Sequence, residues 1–272
     1  MSSVLEKSLA ILELMVEHPE GMQVSTLARK LDMPVSGVHR TLRELARLGY
    51  VRQERDQGDY ALTIRLAAMG LGFLGRSGVT DIAQPILDRL AQASGELVRL
   101  SVLDGRGLVW VAVAQGATVG LRYDPGREQG VRVHPASSAG GQALLSTMTD
   151  DEVLALVGET GLRPEGMAKA SATPATIADL LKVIAETRTR GYSVAVNTYI
   201  EGMGAMAAPV RAGGVADGQV LGCLSIAGPA VRFPKARMEE LAPSLLDAAA
   251  ELGAAAPASH FFAGLLRQPP TP

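Results

Sequence analysis

The stretch between Pro34 and Leu62 limits the fold more than any other part of the chain. Val38, Leu42, Leu45 and Leu48 recur at helical spacing, so a helix over these residues has one apolar face to bury. Pro34 suits the opening of that helix, because its missing N–H would have no intrahelical partner there anyway. Gly49 supplies the stop. The opposite face carries Ser36, His39, Arg40, Arg43 and Arg47. Upstream, Val24, Leu27, Ala28 and Leu31 mark the inner face of a shorter helix, joined to the next through Asp32-Met33-Pro34. A first helix is read from Leu5, Leu9, Leu12 and Val16, and it should end at His18-Pro19-Glu20-Gly21. Downstream, residues 50–52 and 60–62 are short β patterns separated by a polar, glycine-containing turn. Three short helices followed by a hairpin is the winged helix-turn-helix layout, which places that domain at residues 1–62.

Formal net charge is −2 over the whole chain, so affinity for nucleic acid has to rest on local charge. Arg40, Arg43, Arg47 and Arg52 against Glu44 provide it. An α-helix fits the major groove and its leading residues reach base edges or phosphates. Ser36, His39, Arg40 and Arg43 are therefore the expected DNA contacts, with Arg52 and Arg55 of the hairpin reaching phosphates or the minor groove.

At 272 residues the chain has room for a second, larger domain. Residues 64–74 form an apolar helix rich in Ala, Gly and Leu that cannot bury itself alone. Residues 63–78 are read as a linker helix that pairs between subunits. Residues 79–255 mix helix and strand patterns without strict alternation, which predicts an α+β domain with a mainly antiparallel sheet covered by helices. Helices are expected at 80–94, 142–148 and 235–252, and strands at 96–103, 108–114, 119–123, 205–211 and 219–227. A further helix is expected to run to Arg190, capped by Thr173 with Pro174 at its first position and stopped by Gly191. Residues 256–272 read as a frayed C-terminal tail.

Catalytic signals are sparse. Cys223 is the only cysteine, and His18, His39, His134 and His260 lie too far apart for a ligand pair, so neither a metal site nor a cofactor is expected. There is no GxSxG, no Walker loop and no paired-carboxylate catalytic constellation. Residues 202–207 match GxGxxA on paper, but a dinucleotide loop follows a strand and this one precedes a strand. No apolar run approaches the roughly 20 residues of a membrane span. The early residues form an acid-bearing helical pattern rather than a cationic leader. A cytoplasmic protein that is not an enzyme is expected. The rival readings are an enzyme carrying a small N-terminal module, and a DNA-binding protein that senses no ligand.

The residues resemble the IclR family of transcriptional regulators over nearly the whole chain. The N-terminal half does so in Leu9-Ala10-Ile11-Leu12-Glu13-Leu14, in Leu27-Ala28-Arg29-Lys30-Leu31, in Met33-Pro34-Val35-Ser36-Gly37-Val38-His39-Arg40-Thr41-Leu42 and in Leu48-Gly49-Tyr50-Val51. The C-terminal half does so in Gly191-Tyr192, in Gly202 followed by Ala207-Ala208-Pro209-Val210, and in Leu224-Ser225-Ile226-Ala227-Gly228-Pro229. The resemblance implies a GAF-like α+β effector domain, a homodimer or dimer of dimers, and palindromic operator DNA. It also implies an effector pocket lined by Ala139, Gly140, Gly141, Ala205, Ser225 and Ala227. Ala205 and Ala227 stand where the family often has polar side chains. The small residues at 136–141 would open a helix whose free N–H groups suit an anion. An organic acid with an apolar or aromatic body is the expected effector.

Overall fold

Ser3 starts the first helix, α1 (Val4–Val16): its hydroxyl accepts from the Glu6 N–H while the Glu6 carboxylate accepts from the Ser3 N–H. Residues 3–53, 58–124, 126, 128–166, 168 and 170–267 are described by the computed structural model. The chain divides into two compact units, Met1–Leu74 and Gly75–Pro272.

In the first unit α1 buries Ile11 and Met15, α2 (Val24–Lys30) buries Leu27 and Ala28, and α3 (Val35–Arg47) buries Val38, Leu42 and Leu45. These side chains form one core with Met22, Val51 and Tyr60. Asp32 turns the chain between α2 and α3 with φ +49, a left-handed conformation that Asp tolerates better than most residues. Pro34 is the cap before α3 rather than its first residue, one position earlier than expected. The hairpin β1 (Val51–Gln53) and β2 (Tyr60–Leu62) pairs Val51 with Leu62. Met22 and Tyr60 exchange backbone hydrogen bonds of 2.8 and 2.9 Å, which ties the segment before α2 to the wing. Helix α4 (Arg65–Ser77) follows, with Ile64, Met69, Leu71 and Phe73 all exposed. The division between the units falls within it.

The second unit contains α5 (Val79–Ser94), β3 (Leu97–Asp104), β4 (Gly107–Gln115), α6 (Ala139–Leu145), α7 (Asp150–Thr160), α8 (Ile177–Arg190), β5 (Ser193–Val196), β6 (Met203–Arg211), β7 (Val220–Pro229), α9 (Lys235–Ala255) and α10 (His260–Leu265). The five strands form one antiparallel sheet in the order β4-β3-β7-β6-β5. One face, with Leu100, Met206, Leu224 and Ile226, packs on α5 and α9. The other, with Trp110, Ala207 and Cys223, packs on α6 through Ala139 and Ala143. A bulge lets β4 serve both: Leu100 pairs with Ala112 and Ser101 with Trp110, so Val111 is left over. Ala112 and Ala114 join the α5/α9 core, and Trp110 turns to the α6 side.

Three local expectations change. Residues 119–123 alternate like a strand, but Val119 and Leu121 are exposed and make no ladder. The outer edge of β4 is taken instead by residues 130–133, through Gly130 N–H to Trp110 O at 2.9 Å and Val133 N–H to Leu108 O at 2.8 Å. Thr176, not Thr173, caps α8, in a reciprocal pair with Asp179. The Thr173 hydroxyl is committed elsewhere, donating to Thr198 O at 2.7 Å. The segment read as a frayed tail folds into α10, where Phe262 is fully buried and the Ser259 hydroxyl donates to Ser77 O at 2.8 Å. Helix α7 and strand β5 were not anticipated.

Candidate functional site

Helix α3 has two faces. At about 100° per residue, Ser36, His39, Arg40, Arg43 and Arg47 fall within roughly a third of the helix circumference, opposite Val38, Leu42 and Leu45. The first group is exposed and the second buried. Arg47 pairs with Glu44 at 3.0 Å, which moderates the charge at the end of the helix rather than at its start. Arg52 is exposed on β1. Arg55 lies outside the described residues.

The second unit has a cavity on the α6 side of the sheet, about 40 Å3 in volume and partly open to solvent. Strand register builds its floor. Arg99 on β3 pairs with Ser225 on β7, and Ala227 on β7 pairs with Ala205 on β6. Ala139 and Gly140 of α6 close one side, and Trp110, Tyr123 and Tyr199 supply aromatic surface. Of the residues expected at an effector pocket, Ala139, Gly140, Ala205, Ser225 and Ala227 line this cavity. Gly141 does not line it. A Cβ there would lie 2.3 Å from His134 O and 2.4 Å from Pro135 O, and its N–H already donates to Ser138 Oγ at 3.0 Å. Glycine is required at 141 for packing.

Arg99 was not anticipated, although it is the single charged residue on the cavity wall among the described residues. It is 8% exposed and lies with its guanidinium 4.1 Å from the centre of the Trp110 ring. Glu128 forms an ion pair with it and also accepts a hydrogen bond from the Tyr123 hydroxyl. Arg99 Nε is buried with no hydrogen-bond partner among the described residues. Burial and then the neighbouring Glu128 carboxylate push the Tyr123 phenol well above its ordinary range, so it stays a donor. Tyr199 meets Trp110 edge-on at 6.3 Å. Trp110 and Met203 both line the cavity. Ser225 Oγ lies 3.4 Å from Arg99 O and donates to it weakly.

The remaining suspects have structural duties. Burial pushes the Cys223 thiol up to about 12, so no thiolate forms near neutral pH. His134 is held by Ser137 Oγ at 3.0 Å and Thr160 O at 3.3 Å, and partial burial lowers its pKa. Gly202 stands in the turn before β6, so the GxGxxA match meets a strand and not a helix. Among the described residues no helix is long and apolar enough to cross a membrane.

A helix-turn-helix head joined to an antiparallel α+β unit that holds a cavity is the architecture of a two-domain transcription regulator. Residues 4–55 match the IclR helix-turn-helix domain, and residues 72–254 match the bacterial transcriptional regulator IclR C-terminal domain. The chain belongs to the IclR family, and it is a DNA-binding transcription regulator rather than an enzyme. It is 27% identical over 257 residues to the HTH-type transcriptional repressor AllR of Salmonella paratyphi A, spanning 93% of this chain and 90% of the relative. Among solved structures it is similar to an IclR-type transcriptional regulator from Alicyclobacillus acidocaldarius, with TM-score 0.77, 19% identity and coverage of 93% of this chain and 98% of that one. It is also similar to an IclR homologue from Microbacterium hydrocarbonoxydans complexed with 4-hydroxybenzoate, with TM-score 0.71, 21% identity and coverage of 94% and 100%. At these identities the structural likeness speaks for the fold.

Proposed function

We propose that this regulator represses transcription by holding a palindromic operator as a homodimer or dimer of dimers, and that an organic acid with an apolar or aromatic body releases it. The observation that carries the effector reading is the cavity, where Arg99 lies against Trp110 beside Tyr123 and Tyr199. A guanidinium over aromatic surface suits a carboxylate on a flat apolar body. Ala139, Gly140, Ala205, Ser225 and Ala227 then surround that body, and the anion is read by Arg99 rather than by the backbone at Gly141. Residues 1–62 act as the DNA-reading head, in which Ser36, His39, Arg40 and Arg43 meet base edges or phosphates and Arg52 and Arg55 reach the backbone. Residues 63–78 pair between subunits through the exposed apolar side chains of α4, and residues 79–255 sense the effector. Repression is supported by the AllR relatives, and an aromatic acid by the ligand of the Microbacterium homologue.

An effector releases DNA only by binding the two conformations of the regulator unequally. The test is a mobility-shift assay on DNA flanking the regulator's own gene, at fixed salt, with benzoate, 4-hydroxybenzoate, acetate and lactate. The aromatic acids should release the DNA and the small acids should not. Release by none of them, or by the small acids alone, would count against this effector class.

A further inference from the structure

We propose that Glu128 is a built-in stand-in for the effector's carboxylate, and that the incoming acid takes its place on Arg99 and frees the loop that carries it. The inference rests on reading the cavity as the effector site, and it adds a mechanism that the reading alone does not contain.

The first ground is electrostatic. Arg99 and Glu128 are both largely buried, with side chains 10% and 15% exposed. Their charges cancel. A second carboxylate arriving at Arg99 would leave one net negative charge in a site with little water, which is costly unless one carboxylate departs. Of the two, Glu128 has the easier exit. It sits on the segment between Gln115 and Val131, where Leu121, Arg122, Asp124, Gln129 and Gly130 are exposed.

The second ground is how that segment is fastened. Among its described residues, Val119 and Leu121 are 84% and 66% exposed, and Ala117 is the one buried aliphatic side chain. Its ties are polar. Tyr123 donates to Glu128, Gln115 Nε2 donates to Tyr123 O at 2.9 Å, and Arg232, itself paired with Glu96 at 2.5 Å, donates to Leu121 O. Tyr123 is at once a cavity-wall residue and a clasp of the loop. Removing Glu128 from Arg99 therefore loosens the wall and the loop together.

The third ground is the unused donor. Arg99 Nε is buried without a partner among the described residues, and the resident carboxylate meets the guanidinium through one N–H group only. An acid presented from the cavity can take up two guanidinium N–H groups side by side, which Glu128 does not do here. No covalent bond changes; the exchange is of one carboxylate for another.

Trp110 is the only tryptophan and lies against Arg99, so its fluorescence reports on the site. The full-length protein is titrated with 4-hydroxybenzoate and with the neutral 4-hydroxybenzamide, as wild type and as Glu128→Gln. The variant keeps the shape and an acceptor for Tyr123 but removes the competing charge. It should bind the acid about tenfold more tightly, because the cost of vacating the site is gone, and the amide about equally. A measurement on the wild type alone covers the case in which the variant folds poorly: the acid should speed tryptic cleavage after Arg122, and the amide should not. Equal acid affinity in the two proteins, or slower cleavage with acid bound, overturns the exchange while leaving the cavity's role as an acid site intact. If neither protein binds the acid, or only the amide binds, both the exchange and the acid reading fall.

Discussion

Arg40 and Arg43 lie a turn apart on the exposed face of α3, and neither supports the core beneath it. Arg40→Ala and Arg43→Ala should therefore leave the folded head intact and weaken operator binding. A lost base contact should cost about 1–3 kcal/mol and relax specificity at one position, whereas a lost phosphate contact should weaken all sequences alike. Binding to operator variants at constant salt separates the two, and unchanged affinity in both mutants would remove α3 from the interface. Their place on the exposed face of α3 was legible because a helix sorts its side chains by angle, and the angle is written in the spacing. Arg99 was not. In Leu97-Val98-Arg99-Leu100-Ser101 a lone arginine reads as the solvent side of a strand. Its burial depends on Glu128, which lies 29 residues away in a segment without periodicity. The available hint was that Arg99 and Ser101 share a strand face with nothing else to mark that face as exposed. Gly141 fails in the opposite sense: a glycine beside a helix start suggests ligand access, but here it admits the backbone of residues 134 and 135.

Among the elements, those with their own local signals were read well and those defined by a neighbour were not. Helices α3, α5 and α9 and strands β6 and β7 follow from apolar period and breakers. Residues 119–123 have the alternation of a strand, yet a strand needs an edge, and the edge of β4 is already occupied. The cap of α8 was written in the sequence as Thr176 with Asp179 three residues on, but Thr173-Pro174 offered the same signal slightly earlier. Helix α10 shows the same limit. Six residues with two phenylalanines have no strong period, and only the groove they fill makes them structural. Phe262 packs in the core shared with α5 and α9, so Phe262→Ala should destabilise the second unit by about 3–5 kcal/mol. Urea unfolding followed by Trp110 fluorescence measures this. A loss under 1 kcal/mol, the result for a loose tail, would contradict the buried placement.

At the scale of the whole molecule, the head has its own core and should fold without the second unit. One head offers few contacts, and joining two raises the effective concentration of the second once the first has bound. Residues 1–62 alone, which lack the α4 side chains that pair subunits, should therefore bind operator DNA at least about a hundredfold more weakly than the full chain at the same salt. Equal affinity would mean that pairing of subunits is dispensable for grip. The second unit invites a different question, about how such a regulator acquires a new signal. Its sheet devotes alternate residues to separate tasks: Leu100, Leu224, Ile226 and Met206 face the α5/α9 core, while Arg99, Ser225, Ala227 and Ala205 face the cavity. Neighbouring codons thus answer to different selection. A lineage could rewrite every second position on three strands, and so change which molecule it heeds, while the interleaved positions go on holding the domain together.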